Sequence, residues 1–301
     1  MNIFITGGTG FIGTSLSNAL SARGHRVYIL TRSLKNPTHE SNIIHVDGDP
    51  ARKGPWLERL MECDVVINLA GATIFKRWTP AYKKTLIKSR IDTTRNIVEE
   101  ITRNKKSDLL LISASAVGYY GFHDDEAVDE NAAPGSDFLA SLSAEWERTA
   151  LEALCCGARV IINRFGIVLG KGGGAIHMMM PLFRYWLGSR LGNGMQYFSW
   201  IHLYDLINIF IYQIENKGLS SIYNCTAPNP VTNRELTKAI SIAMKKPLIL
   251  PPVPGFMLKL VMGEFADVLL KGQRVIPKRL LDEGYSFRFP EINRAIMDIL
   301  E

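Results

Sequence analysis

Residues 2–13 read NIFITGGTGFIG, an apolar run followed by four glycines. The run over Asn2–Thr6 predicts a buried β-strand, and the residues after Gly13 carry apolar side chains at helical spacing. Glycines at this junction permit a tight turn and let the backbone approach a pyrophosphate, which the unpaired N–H groups of a helix start attract. This context predicts a dinucleotide site; the alternative is a tight turn without a ligand. The residues assigned to the site are Gly7, Thr9, Gly10, Phe11, Ile12 and Gly13.

The end of the second predicted strand, residues 26–31, distinguishes NAD from NADP. A chain that binds NAD usually places Asp or Glu there to hold the 2′-hydroxyl of the ribose. This chain has Thr31 and Arg32 instead, with Ser33 and Lys35 close behind. A guanidinium pairs with a 2′-phosphate, whereas a carboxylate repels it. We therefore expect NADP, with Thr31 and Arg32 at its phosphate; the alternative is that Arg32 is a solvated loop cation.

Short apolar runs alternate with amphipathic segments in the first half of the chain. This alternation is typical of a parallel sheet covered on both faces. We expect an α/β fold with a Rossmann-type doubly wound parallel sheet over residues 1–170, to which residues near 199–227 return. Residues 171–198 and 228–301 are expected to form a smaller substrate-side lobe. The predicted strands are 2–6, 26–31, 42–47, 64–70, 108–113 and 159–165, and the predicted helices include 14–23, 80–103, 141–153, 203–215, 232–244 and a stretch around 254–270.

Composition and charge limit the classes of function. The net charge of +6 comes from scattered basic residues, without the basic and aromatic stripe of a nucleic-acid surface. No stretch approaches the ~18 apolar residues of a membrane span. The four cysteines lack the spacing of a metal site, which favours reduced thiols. We therefore expect a cytoplasmic protein that binds a small molecule and neither nucleic acid nor a membrane.

Further motifs follow the glycine turn in order along the chain. They are residues 68–71, 76–78, 89–90, 113–121, 146–147, 164–170, 199–202 with Asp205, 227–233 and 272–277. With these motifs the chain resembles the extended and atypical short-chain dehydrogenases/reductases, and more narrowly the epimerase-family, sugar-nucleotide-epimerase-like proteins with a short C-terminal domain of unknown function. The resemblance implies an oxidoreductase or epimerase acting on a small molecule, as a monomer or homodimer. The chemistry of residues 272–277 does not indicate their role.

The resemblance also implies roles for residues beyond the glycine turn. Residues 68–71 would line the adenine and ribose side of the cleft, Arg90 would reach back to the cofactor phosphates, and the backbone of Val168 would pass the nicotinamide half. The alternatives are a turn-forming cap for Asn68 and a surface salt bridge for Arg90. His202 would either touch the substrate or be a hydrogen-bonded core histidine. The additional cofactor residues are Asn68, Leu69, Ala70, Gly71, Arg90, Ser113, Ala114 and Val168.

The resemblance stops at the catalytic residues. The superfamily uses a Ser with a Tyr and a Lys four residues apart on one helix, and the Lys lowers the pKa of the tyrosine that exchanges a proton with the substrate. Ser115 stands at the serine position, but Phe138 and Leu142 stand where the Tyr and Lys are expected. Tyr119 or Tyr120 would then supply the phenol, or the substrate needs no protein acid. In the third alternative the chain is a catalytically inactive, NADP(H)-binding regulatory or structural protein.

Overall fold

A central sheet of seven parallel strands runs through the structure, a computed structural model that describes residues 1–34, 42–219 and 221–301. Its strands are apolar on both sides, as a sheet covered on two faces requires. The strands of the described residues are β1 (Asn2–Thr6), β2 (Arg26–Thr31), β3 (Ile43–Asp47), β4 (Val65–Asn68), β5 (Leu110–Ala116), β6 (Ala127–Val128), β7 (Arg159–Phe165), β8 (Ile167–Gly170), β9 (Tyr197–Phe198), β10 (Trp200–His202), β11 (Ile222–Cys225), β12 (Val231–Thr232) and β13 (Arg274–Val275).

The order of the strands in the main sheet is β11-β7-β5-β4-β1-β2-β3. The chain adds strands outward from β1 in one direction through β2 and β3, and then in the other direction from β4 onward. The carboxyl ends of β1 and β4 therefore flank a topological switch point, the place where open α/β sheets bind ligands. This arrangement confirms the predicted Rossmann-type, doubly wound sheet.

Helices cover both faces of the sheet. On one face α1 and α6 pack against the strands, and on the other face α2, α3 and α4 do so. No helix among the described residues is long and apolar enough to cross a membrane. The helices are α1 (Phe11–Ser21), α2 (Trp56–Met61), α3 (Pro80–Arg103), α4 (Phe138–Leu151), α5 (Gly174–Arg184), α6 (Leu203–Glu215), α7 (Asn233–Ala243), α8 (Gly255–Met262), α9 (Phe265–Leu270), α10 (Lys278–Asp282) and α11 (Ile292–Leu300).

Several elements differ from their predicted bounds near the site. Strand β5 continues to Ala116, beyond the predicted end at Ser113, because β7 pairs with it over its whole length. Helix α4 begins at Phe138 because the side chain of Asp137 accepts hydrogen bonds from two N–H groups of its first turn. The predicted stretch around 254–270 is two helices, separated at Gly263, whose φ is +61°. Strand β11 and helix α11 were not predicted.

A second hydrophobic core lies beside the main sheet. Helices α5, α7 and α11 contribute buried residues to it, around the fully buried Trp200 of β10. Other parts of the C-terminal region pack elsewhere: β13 pairs with β6, and α10 contacts β11. Some of the residues expected in the smaller lobe thus rest directly on the Rossmann sheet.

Asp205 joins helix α6 to the segment before α11. It is buried, and its carboxylate accepts hydrogen bonds from the backbone N–H groups of Arg288 (2.8 Å) and Phe289 (2.9 Å). The hydroxyl of Tyr285 donates to its carbonyl oxygen at 3.2 Å. Burial raises the pKa of this carboxyl, and the two N–H groups oppose that rise by stabilising its charged form.

We expect Asp205→Ala to lower the free energy of unfolding by about 3 kcal/mol, because one buried and one partly buried N–H group lose their acceptor. Chemical denaturation measures the change. The control is Asp282→Ala, which removes an exposed carboxylate paired with Lys278 and is expected to cost about 0.5 kcal/mol or less. Equal stability of the Asp205→Ala and Asp282→Ala variants would show that the hydrogen bonds of Asp205 contribute little to the stability of the fold.

Candidate functional site

The glycine turn connects β1 directly to α1. Gly7 has a φ of +72°, and its carbonyl oxygen accepts a hydrogen bond from the N–H of Gly10 at 3.0 Å. A Cβ on Gly13 would collide with that same carbonyl oxygen, so the turn closes only on a glycine. Helix α1 begins without a side-chain cap and without an acidic residue in its first turn. Its first N–H groups are therefore available to an anion.

The assigned residues on β2, β4 and β5 lie at the same edge of the main sheet, whereas Val168 lies in β8, which pairs with β10 outside it. In the register of the sheet, Thr6 lies beside Asn68, and Asn68 lies beside Ser113. The glycine turn touches the loop after β4, since a Cβ on Gly7 would lie 2.8 Å from the Leu69 carbonyl. The assigned residues are placed as follows: Gly7, Thr9, Gly10, Phe11, Ile12 and Gly13 in the turn and α1, Thr31 and Arg32 at the end of β2, Asn68, Leu69, Ala70 and Gly71 at the end of β4, Ser113 and Ala114 in β5, and Val168 in β8.

The end of β2 presents an exposed guanidinium. The Thr31 hydroxyl donates to the Ser33 carbonyl at 3.0 Å and accepts from the Ser33 N–H at 3.2 Å, which turns the chain after the strand. Arg32, between them, is exposed and forms no ion pair within the described residues. Lys35 lies outside the described residues. The guanidinium of Arg32 is thus open to an anionic ligand.

Asn68 has a structural role at the base of the cleft. It is fully buried, its amide oxygen accepts from the Thr6 hydroxyl at 2.7 Å, and its amide nitrogen donates to the Thr94 hydroxyl at 2.8 Å. The indole N–H of Trp146 donates to the same hydroxyl at 2.9 Å. The Asn68 side chain therefore ties β1, α3 and α4 together and is neither a turn cap nor free for a ligand.

Arg90 is a largely enclosed cation under the loop after β4. Its guanidinium donates to the carbonyls of Ala72 (3.0 Å) and Leu86 (3.3 Å) and lies 5.3 Å from the ring centre of Trp146. Burial lowers the pKa of Arg90 to about 10. No carboxylate pairs with it among the described residues, so it does not form the alternative surface salt bridge. Gly71 allows this packing, since a Cβ there would lie 3.1 Å from the guanidinium carbon.

A buried polar network surrounds the serine position. The Ser115 hydroxyl donates to Glu147 at 2.6 Å, and Arg164 forms two hydrogen bonds with the same carboxylate, at 2.8 and 2.7 Å. Arg164 also donates to the Tyr120 hydroxyl at 2.8 Å, and that hydroxyl donates to Asn224 at 2.7 Å. Burial raises the pKa of Tyr120 to about 12. Within the described residues, the hydroxyls of Ser115 and Tyr120 are thus both hydrogen-bonded to protein groups.

Tyr119 differs from the other two candidates. It is half-buried, its ring centre lies 3.5 Å from the guanidinium carbon of Arg164, and its ring meets that of Tyr120 edge to face. Its hydroxyl forms no hydrogen bond within the described residues. Of the three candidate catalytic residues, only Tyr119 keeps a hydroxyl that is available to a substrate.

Aromatic side chains occupy the region where the superfamily's Tyr and Lys are expected. The Phe138 ring lies 5.4 Å from that of Trp78, and the ammonium group of Lys83 lies 4.8 Å above it. Leu142 is buried in the same cluster, together with Phe265 from the C-terminal region, whose ring lies 5.6 Å from Trp78. No group on these two positions of α4 can transfer a proton, as the sequence indicated.

Two charged residues in apolar surroundings are the sequence signal for the Glu147–Arg164 pair. Arg164 interrupts an apolar strand that is buried on both faces, and Glu147 lies on the buried side of α4. A charge in either place must be paired, because an unpaired buried charge is too costly. That requirement predicts a partner, although it does not identify which acid will be near.

His202 is a core histidine. It is 5% exposed, its Nδ1 accepts from the N–H of Tyr204 at 3.1 Å, and its ring centre lies 4.0 Å from that of Phe289. Its Nε2 lies 3.4 Å from a carboxylate oxygen of Asp298. Burial nevertheless lowers the pKa of His202 to about 4. The ring therefore caps α6 in its neutral form, in agreement with the structural alternative.

The stability of the protein should depend on this histidine in mildly acidic solution. The folded pKa of about 4 lies below the ordinary histidine pKa of 6.5, so the unfolded chain takes up the proton first. Stability is full above pH 6.5 and falls as the pH drops toward 4. His202→Asn keeps a side-chain acceptor for the cap. Its free energy of unfolding should fall by about 2–3 kcal/mol less over this pH interval than that of the unaltered protein. Denaturation at several pH values measures this; parallel curves for both proteins would contradict it.

Comparison with known proteins agrees with this geometry. The model of the NAD dependent epimerase/dehydratase family matches residues 3–226, and a domain of unknown function, DUF1731, matches residues 253–299. The chloroplastic epimerase family protein SDR39U1 homolog of Arabidopsis thaliana is 39% identical over 307 positions, covering 100% of this chain and 87% of that protein. The epimerase family protein YfhF of Bacillus subtilis (strain 168) is 37% identical over 301 positions, covering 100% of this chain and 98% of its own.

A solved structure extends the similarity to three dimensions. The crystal structure of human epimerase family protein SDR39U1 (isoform 2) with NADPH matches with a TM-score of 0.86 and 32% identity, covering 100% of this chain and 99% of that one. The family resemblance drawn from the sequence motifs is thereby confirmed. This chain belongs to the NAD dependent epimerase/dehydratase family and ends in a DUF1731 domain.

Proposed function

We propose that the chain binds NADP(H) at the switch point between β1 and β4. The observation that carries this proposal is the glycine turn, which closes only on Gly13 and leads into an uncapped helix start. The N–H groups of that start would hold the pyrophosphate. Arg32 would pair with the 2′-phosphate, since it is exposed and no acid stands at the end of β2. The similar human protein SDR39U1 was crystallised with NADPH, which supports the same cofactor here.

Arg90 would add positive charge on the other side of the crevice. Its guanidinium has no carboxylate partner among the described residues and makes only two hydrogen bonds to carbonyl groups. A guanidinium carries five N–H donors, so donors remain for an anion. We propose that Arg90 offsets the charge of the cofactor phosphates, from beneath Gly71.

We further propose that the chain is an oxidoreductase or epimerase acting on a small molecule. The bound cofactor would supply or accept a hydride at its nicotinamide ring. Tyr119 would exchange the accompanying proton with the substrate, because its hydroxyl forms no hydrogen bond with any described residue, whereas those of Ser115 and Tyr120 do. Arg164, stacked on the Tyr119 ring at 3.5 Å, and its partner Glu147 would hold that ring in place.

The second candidate is NADP(H) binding without turnover. Phe138 and Leu142 on α4 favour it, because neither can transfer a proton. The hydroxyls of Ser115 and Tyr120 also favour it, because both donate hydrogen bonds to protein side chains. In that case cofactor binding would control stability or an interaction, and NADPH would not be consumed. Measuring binding and oxidation separately distinguishes the two candidates.

Arg32→Ala should weaken the binding of NADPH about 10- to 100-fold, because it removes a charge-assisted hydrogen bond to the 2′-phosphate. The binding of NADH, which has no 2′-phosphate, should weaken about twofold or less. Fluorescence titration with each cofactor measures the two constants. Arg26→Ala is the matched control, since Arg26 is exposed at the opposite end of the same strand. Equal weakening of NADPH and NADH would refute the assignment of Arg32 to the 2′-phosphate.

Tyr119→Phe tests the proposed proton transfer. NADPH oxidation is followed with a panel of aldehydes, ketones, quinones and sugar nucleotides. We expect Tyr119→Phe to lower the rate with any active compound at least 100-fold, with NADPH affinity within twofold of the original. An unchanged rate would remove Tyr119 from the mechanism. If NADPH binds but no compound is turned over, the second candidate function is favoured.

A further inference from the structure

Two loops at the carboxyl edge of the sheet are held by the DUF1731 domain. The β4 loop, residues 69–79, follows β4, and the β5 loop, residues 117–126, follows β5. Loops in these positions build the ligand site of an open α/β sheet. Residues 264–277, named here the clamp segment, contact both loops and include the motif at 272–277, whose role was not evident from its sequence.

The first contact of the clamp segment is with the β4 loop. Phe265 is 1% exposed, and its ring lies 5.6 Å from that of Trp78 and 5.9 Å from that of Phe75. Glu264 forms an ion pair with Lys83, which lies in the first turn of α3 directly after the loop. The clamp segment thus packs a buried aromatic ring against the end of the β4 loop.

The second contact is with the β5 loop. The side-chain amide of Gln273 donates to the Val117 carbonyl at 2.9 Å, and the Gly272 carbonyl accepts from the His123 N–H at 2.9 Å. Strand β13 pairs in parallel with β6, which follows the loop, and Val275 packs fully buried in a cluster that contains Val117. The loop is therefore held at its beginning, at His123 and at its end.

The clamp segment is itself anchored to the interior. The Ser199 hydroxyl donates to the Gln273 carbonyl at 2.7 Å and accepts from the N–H of Val275 at 2.9 Å. The Asn224 side chain donates to the Ile276 carbonyl at 3.0 Å while its oxygen accepts from Tyr120. Through Asn224, these hydrogen bonds connect the clamp segment to the buried network of Tyr120 and Arg164. Hydrogen bonds to fixed interior groups give the segment a single position.

We infer that the clamp segment positions the two loops of the cofactor site, with Gln273 fixing the β5 loop and Phe265 fixing the β4 loop. The inference rests on the proposed function, in which the β5 loop, carrying Tyr119, faces the nicotinamide half of NADP(H). The glycine turn and Arg32 would hold the adenosine half without the clamp. Gln273 is then a positioning residue for one half of the cofactor, although it lies in the C-terminal domain.

Amide hydrogen exchange without cofactor tests the positioning directly. Gln273→Leu should accelerate exchange in the β5 loop, residues 117–126, several-fold, because it removes one hydrogen bond to that loop. Exchange in the β4 loop, residues 69–79, should stay unchanged. Phe265→Ala should accelerate exchange in residues 69–79 and leave residues 117–126 unchanged. Lys278→Ala, an exposed change just beyond the clamp segment, should affect neither loop. Unchanged exchange, or equal acceleration of both loops in each variant, would overturn the inference.

Cofactor titration tests the consequence for ligand binding. Gln273→Leu should weaken NADPH about 5- to 20-fold and change the affinity for 2′,5′-ADP, which lacks the nicotinamide half, by less than twofold. Arg32→Ala should instead weaken both ligands. Equal weakening of NADPH and 2′,5′-ADP by Gln273→Leu, or no weakening of NADPH, would overturn the role of Gln273.

Two safeguards keep the result interpretable. Gln273→Asn shortens the side chain by one methylene group and replaces Gln273→Leu if the latter does not fold; the same outcomes apply to it. If the unaltered chain binds neither NADPH nor 2′,5′-ADP, the proposed function fails. The exchange measurement then still decides separately whether the clamp segment positions the two loops.

Discussion

The close approach of Gly13 to the Gly7 carbonyl is the constraint on which the site depends. It brings the first turn of α1 directly against the end of β1, with no room for a side chain between them. The same turn rests on the backbone of the loop after β4 at Leu69, and the Phe11 ring lies against Gly173 at the start of α5. One backbone geometry thus sets the distance between the helix start, the β4 loop and the second core. An added methyl group at this point would displace all three.

A buried ion pair lies beside Ser115 in the interior of this chain. The Glu147–Arg164 pair is completely enclosed, and its remaining hydrogen-bonding capacity is taken up by Ser115 and Tyr120. Such a pair contributes little net stability compared with apolar packing, but removing one partner is costly because the other charge is left unpaired. Its effect is to give β5, β7 and α4 one relative arrangement. The serine of the family's pattern is retained here, and its hydroxyl donates to Glu147.

The C-terminal domain packs against the loops at the carboxyl edge of the sheet. Its helix α9 adds Phe265 to the aromatic cluster beside α4, and its strand β13 pairs with β6. Asp205 and Glu130 accept hydrogen bonds from backbone N–H groups near residues 279 and 288–289, which fastens the last part of the chain to the sheet. The surroundings of the β4 and β5 loops are consequently formed by residues far apart in sequence.

The glycine turn, the strands of the first half and the long helix α3 were predictable because each is encoded by neighbouring residues: glycine spacing, apolar runs and a helical repeat. The absence of an acid after β2 and of Tyr and Lys on α4 was equally visible. Strand β11, only four residues long, was not predictable, because it is a strand only through pairing with β7.

The sequence by itself therefore determined the Rossmann architecture, the dinucleotide turn and the loss of the usual catalytic pair. Only the tertiary structure decided which hydroxyls remain available, since the partners of Ser115 and Tyr120 lie 32 and 104 residues away. The contacts of residues 272–277 with the β5 loop likewise appear only in the tertiary structure. Hydrogen bonds and buried charges are satisfied by whichever groups the fold brings near, and local sequence patterns carry no record of those groups.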